Sequence, residues 1–109
     1  MKRKLSTVAL LLCSLLSFAQ FTGNGSGTQA DPYQITSAEE LNEVRNFLNT
    51  TGVYFKLMNS IDLSTFIAQN HPTEGWEPIG TSSSTFQGVF DGNCKNIEGL
   101  TINRPSSDV

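Results

Sequence analysis

Apolar residues recur at every third or fourth position between Ala38 and Leu48, and charged side chains occupy most of the other positions. This spacing matches the 3.6-residue period of a helix that buries one face. Ser37 and Glu40 form a capping box, in which the Ser37 side chain accepts from the Glu40 amide and Glu40 reaches back. The pattern predicts one amphipathic α-helix over about residues 38–48.

The apolar period then changes to two. Alternation over residues 53–63 predicts a half-buried strand, or two short strands with a bend at Asn59-Ser60. Residues 64–78, which contain proline and glycine, predict a long irregular loop. Further short apolar runs flank a turn at residues 91–93, so the pattern indicates a mainly β chain of the barrel, sandwich or solenoid type.

The N-terminus has the three parts of a secretory signal peptide: three basic residues at 2–4, an uncharged leucine-rich stretch over 5–16, and small residues before Gln20. We expect cleavage between Ala19 and Gln20. A membrane anchor is the alternative, but this apolar stretch is shorter than the roughly 20 residues that a span needs. Lipoprotein processing at Cys13 is disfavoured because Leu12 precedes it. The predicted organisation is a signal peptide (1–19), a flexible Gly- and Ser-rich linker (20–30) and a β-rich module (31–109).

Cleavage would leave four basic side chains against ten acidic ones, a net charge of −6. Nucleic-acid binding is disfavoured because it requires clustered Lys and Arg. No later stretch is apolar enough to span a bilayer.

Catalytic and metal-binding motifs are missing from the sequence. The one histidine, His71, has no plausible nucleophile or second metal ligand near it in the pattern. The turn over residues 91–93 has too few oxygen ligands for a calcium loop, and no spacing selects a carboxylate pair for glycoside hydrolysis. We therefore predict no catalytic residue, no metal and no cofactor. The carboxylates from which such a glycoside-hydrolysis pair would come are Asp62, Glu74, Glu77, Asp91 and Glu98.

Two single residues remain as candidates. Trp76 lies in a predicted loop, where it would stack on a sugar or a protein partner, although burial against the fold is favoured because of its large apolar area. Cys94 would be the only cysteine after signal cleavage; a small buried hydrophobe is favoured over a reactive thiol or an intermolecular disulfide.

Six segments in one order resemble the opening of GLUG-repeat proteins, which are exported bacterial surface proteins common in Bacteroidetes. They are DPYQI (31–35), SAEEL (37–41), YFKLMNSIDL (54–63), WEPIG (76–80), FQGVFDGN (86–93) and IEGLTI (97–102).

The resemblance implies the start of a parallel β-helix of the pectin-lyase-like kind, with the helix near 38–48 as its N-terminal cap. Stacked coils would bury one inward column of side chains: Ile61, Leu63, Phe90, Ile97, Leu100 and Ile102. Cys94 stands where the family usually has glycine, so we expect a turn that needs no glycine conformation. The name-giving Gly-Leu-x-Gly segment would follow Val109, so we expect a truncated chain whose remainder stacks there.

The function that the resemblance implies is a non-enzymatic extracellular or cell-surface module for adhesion or ligand binding, with an unknown extracellular protein or glycan as partner. The alternative is the non-catalytic N-terminal segment of a larger secreted enzyme, either an IgA-peptidase-like metallopeptidase or a polysaccharide-degrading β-helix enzyme.

Overall fold

The computed structural model describes residues 21–105, so the predicted cleavage site between Ala19 and Gln20 lies outside the described residues. In chain order the elements are β1 (Tyr33–Ile35), α1 (Ala38–Glu43), a 3-10 turn (Val44–Phe47), β2 (Tyr54–Leu57), β3 (Ile61–Asp62), α2 (Ser64–Asn70), β4 (Val89–Asp91) and β5 (Ile97–Glu98).

The strands form two small parallel sheets. Three strands pair in the order β1-β2-β4, and β3 pairs with β5. Tyr33 lies beside Phe55 and Phe55 beside Phe90 in the first sheet. Ile61 lies beside Ile97 in the second. Similar side chains therefore stack across each sheet, as side chains in register between neighbouring strands do.

The core is built around Phe55, whose side chain is only 1 % exposed. Its ring lies 5.4 Å from that of Phe47, 5.6 Å from Tyr33 and 6.1 Å from both Phe21 and Phe86. These separations are typical of favourable aromatic pairs. The cluster joins the 3-10 turn and the N-terminal segment to the sheet.

The predicted helix is present, although its second half tightens into the 3-10 turn. Ser37 Oγ accepts a hydrogen bond from Glu40 N at 3.1 Å, which satisfies one of the free amides of the first turn. Glu40 Oε1 accepts from the amide and hydroxyl of Thr36, both at 2.7 Å, rather than from the amide of Ser37. Leu41 and Val44 are buried against the core, so the apolar stripe faces the sheet.

The expectation of a mainly β chain that begins a parallel β-helix is wrong for the described residues. Helical elements hold more residues than the strands, which are two to four residues long. Ile61 and Leu63 are buried, but the other predicted inward residues, Phe90, Ile97, Leu100 and Ile102, are all exposed. The structure is a small domain with one core, closed by short helices. Period-two alternation shows which face of a strand is apolar, but it does not show what covers that face.

The predicted irregular loop over residues 64–78 is also wrong, because it begins with helix α2. Asp62 Oδ1 accepts a hydrogen bond from Ser64 N at 2.9 Å and also binds the Ser64 hydroxyl. These are local hydrogen bonds of an Asp side chain to a residue two positions on, at the start of the helix, whose N-cap residue is Leu63. Phe66 and Ile67 then bury one side of the helix.

Residues 21–31 pack against the domain, which differs from the expected flexible linker. The Phe21 ring lies 4.8 Å from that of Tyr33. The Gln34 amide donates to Asn24 O at 2.8 Å, and the amides of Ser26 and Gly27 both donate to Asp31 O at 3.0 Å. Hydrogen bonds in local turns thus satisfy backbone groups of this polar segment, which has no hydrophobic run.

Cys94 is exposed, so the expected buried thiol is wrong. Its φ is +56° and that of Asn93 is +52°. Lys95 N donates to Gly92 O at 2.9 Å, which closes a tight turn. Two central residues with positive φ define the type I′ turn, which favours Gly and Asn. The expectation that this turn needs no glycine conformation is therefore also wrong.

Candidate binding surface

The large exposed apolar side chains of the domain lie mostly in its last described segment. We call five of them the outer edge: Val89, Phe90, Ile97, Leu100 and Ile102, which are 37–53 % exposed. Large apolar side chains that a folded domain leaves exposed are candidates for an interaction site.

The pairing register explains why these residues are apolar yet exposed. Phe90 lies beside the buried Phe55, and Ile97 lies beside the buried Ile61. Each occupies the position next to a core residue, on the strand that has no neighbour on its other side within residues 21–105. Phe90 and Ile97 therefore continue two rows of core side chains to the surface.

An open groove of about 220 Å³ adjoins this surface. It lies between α1 with the 3-10 turn on one side and residues 79–90 on the other. Phe90 belongs to both the groove and the outer edge, so the groove adjoins the outer edge at this residue. The groove is lined by Leu41, Val44, Ile79, Phe86 and Phe90.

Acidic side chains flank the outer edge. Asp91 lies beside Lys56 in register, and Glu98 lies beside Asp62, so two carboxylates are neighbours across the second sheet. The hydrogen bonds from the Ser64 hydroxyl and amide hold the pKa of Asp62 below its ordinary value. Within residues 21–105 the one ion pair is Arg45–Glu77, with an N–O distance of 3.7 Å. Neither Asp91 nor Glu98 forms an ion pair there, although Lys56 is the cross-strand neighbour of Asp91.

Trp76, the candidate binding residue, is 6 % exposed and lies in the core. Its ring is 5.5 Å from that of Phe66, and the Arg45 guanidinium lies 5.8 Å from the indole centroid. Arg104 donates to the carbonyls of Gly75 at 3.0 Å and Trp76 at 3.3 Å. A buried indole held in this way offers no face on which a solvent-exposed sugar could stack.

The other residues considered for chemistry do not converge on a site. His71 follows the last residue of α2, and its amide donates to Ile67 O at 2.7 Å. Asp62 accepts from Ser64 N at 2.9 Å, Asp91 accepts from Asn93 N at 2.9 Å, and Glu77 pairs with Arg45. Over residues 21–105, no three His, Cys, Asp or Glu side chains are grouped so that they could hold a metal ion.

The sequence does not identify the outer edge as a site, because the apolar pattern of its residues predicts that they are buried in the core. Their alternation is the same as that of buried strands. The one available signal was the Asp and Glu residues that accompany the apolar positions in the last two strands.

The fold and surface define a small α/β domain with parallel strands and an exposed apolar edge. No family model matches the chain, so the resemblance to GLUG-repeat proteins stays a prediction. No solved structure matches it either.

Two curated relatives are similar to most of the chain. One is named a Gly-rich membrane protein, from Evansella cellulosilytica, and is 42 % identical over 80 residues, which make up 73 % of this chain and 9 % of that protein. The other is Halomucin from Haloquadratum walsbyi, 33 % identical over 85 residues, which make up 77 % of this chain and 1 % of that protein. The chain thus spans less than a tenth of either relative. In the part of the chain that the structure describes, no helix is long and apolar enough to cross a membrane.

Proposed function

We propose that this chain is a non-enzymatic module of an extracellular or cell-surface protein, and that it works by adhesion or ligand binding. The outer edge is the observation that carries the binding role. The names of the two relatives, a Gly-rich membrane protein and Halomucin, support a surface location and refer to no enzymatic activity. The signal-peptide pattern of residues 1–19 supports export.

The outer edge supports binding rather than catalysis because it is apolar and lacks converging polar groups. Protein-binding surfaces have an apolar centre with a polar rim. Phe90 and Ile97 supply exposed apolar side chains for such a surface, and the residues that follow them, Asp91 and Glu98, supply polar ones. Aromatic side chains at the centre of a surface commonly contribute most of the binding energy.

Export is tested by producing the 109-residue chain in a bacterial host with a C-terminal reporter that is active only outside the cytoplasm. We expect reporter activity and a mature N-terminus at Gln20, determined by mass spectrometry. Leu10→Arg places a charge in the apolar stretch and should abolish export, whereas Ser6→Thr should leave it unchanged. Retention of the unchanged chain in the cytoplasm would refute the extracellular assignment.

Binding is tested on arrays of extracellular proteins and glycans with the secreted chain. We expect signals that Phe90→Ser reduces and Glu39→Gln leaves unchanged, because Glu39 is exposed on α1, outside the outer edge. If Phe90→Ser bound as strongly as the unchanged chain to every target, the outer edge would not be the binding surface.

A further inference from the structure

We propose that the outer edge binds a segment of another polypeptide, which adds two short parallel strands joined by a bend, one beside β4 and one beside β5. The partner segment would place apolar side chains next to Phe90 and Ile97 and basic side chains next to Asp91 and Glu98. This inference rests on the proposed binding function and identifies the chemistry of the partner.

The backbone of both outer strands is open to a further strand. Val89 N of β4 donates to the carbonyl of Val53, the residue just before β2. Because backbone groups alternate in direction along a strand, the N–H and C=O of Phe90 face away from β2. Glu98 O accepts from Leu63 N, so the backbone N–H and C=O of Ile97 likewise face away from β3. Exposed strand edges of this kind pair readily with an incoming peptide. The opposite edge is protected, because Gln34 of β1 donates to Asn24 O.

The side chains at this edge favour an apolar strand. Phe90 is 37 % and Ile97 is 41 % exposed. Their neighbours on the adjacent strands, Phe55 and Ile61, are buried in the core. Two short strands that place one apolar side chain each beside Phe90 and Ile97 would bury both residues, as Phe55 and Ile61 are buried. The 220 Å³ groove next to Phe90 could receive one further apolar side chain of the partner.

Charge selects a basic partner and disfavours a second copy of this chain. Asp91 and Glu98 are exposed and neither forms an ion pair within residues 21–105, although Lys56 is the cross-strand neighbour of Asp91. From residue 20 onward the chain carries a net charge of −6. Two copies would bring these like charges together, which opposes association.

The domain itself supplies a probe for this site. Residues 54–57 and 61–62 already pair with β4 and β5 on the inner side and place Phe55 beside Phe90 and Lys56 beside Asp91. A fluorescein-labelled peptide with the sequence of residues 53–63, carrying Asp62→Lys, would present a basic side chain beside Glu98 as well. A scrambled peptide of the same composition is the matched control.

Binding is measured by fluorescence anisotropy against the folded protein, with amide hydrogen exchange as the second readout. We expect saturable binding of the probe, no saturation with the scrambled peptide, and slower exchange of the Phe90 and Ile97 amides in the complex. No binding, or protection at other amides only, would overturn the proposal. Concentration-dependent dimerisation that protects the same amides without peptide would also overturn it, because a second copy would then be the occupant.

Charge reversal keeps the test decisive even if an apolar substitution unfolds the domain. The double variant Asp91→Lys, Glu98→Lys should lower the affinity for the probe about tenfold, because two exposed ion pairs are lost. The same variant should bind a peptide with glutamate at the two basic positions more tightly, because two ion pairs are formed again. Glu39→Lys on α1 adds charge elsewhere and should change neither affinity by more than about twofold. Equal effects of both variants would overturn the specific pairing. Export of the chain does not enter this assay, so its failure and that of the proposed function are separable.

Discussion

Replacement of Cys94 by glycine should stabilise the domain. Cys94 has a φ of +56° and is exposed, so its side chain contributes no burial in exchange for the left-handed backbone conformation. That conformation costs an ordinary residue roughly 1–2 kcal/mol. Glycine avoids this cost but raises the entropy of the unfolded chain by about 0.4–1 kcal/mol. The net expected gain in the free energy of unfolding is therefore about 0.5–1 kcal/mol.

The assay is thermal and urea unfolding followed by circular dichroism in the presence of a reductant. A domain of this size should gain ~2–8 °C in melting temperature for that change. Cys94→Ala is the matched control: it removes the thiol but keeps Cβ, so it should gain nothing. If the glycine and alanine variants unfolded at the same temperature, the turn would not be strained at Cys94 and the reasoning would be refuted.

Three further predictions concern the core residue Phe55, the close backbone approach at Gly75 and the carboxylate of Asp62. Phe55→Ala should lower the free energy of unfolding by about 3–5 kcal/mol, whereas Phe55→Leu, which keeps most of the volume, should cost less than about 1.5 kcal/mol; equal losses in urea unfolding would contradict the packing argument. Gly75→Ala should strongly destabilise the domain, because φ is +76° and a Cβ would lie 2.1 Å from Thr101 O; a melting temperature unchanged from that of the parent would be inconsistent with this contact. The lowered pKa of Asp62 means that the folded state binds this proton less tightly than the unfolded state, so the carboxylate contributes stability above its ordinary pKa of 3.8, and this is lost as the pH falls through the lower folded value. Ser64→Ala should reduce that acid dependence, measured as urea midpoints from pH 6 to pH 2; an identical pH profile would disprove the role of Ser64.

The local elements were predictable where short-range patterns are strong. The capping box at Ser37 and the apolar stripe that follows located α1, and alternation located β2 and β3 with the bend at Asn59-Ser60. Helix α2 was missed because its N-cap residue is Leu63, which makes no side-chain capping hydrogen bond, and the residues before it alternate like a strand. The site was missed for a different reason: an exposed Phe90 and a buried Phe55 have the same local pattern.

By itself the sequence determined which residues are apolar, how they alternate, where one helix begins and that the chain after Ala19 is acidic, since all of these depend on residue types at short spacing. Tertiary structure alone decided that Phe55 became the centre of the core, that Trp76 was buried beside Phe66, and that Phe90 and Ile97 stayed at an open edge. Burial depends on what lies next to a side chain in space, and strands that pair in parallel bring together residues about 20 to 36 positions apart. The alternation of a single strand contains no information about that distant neighbour.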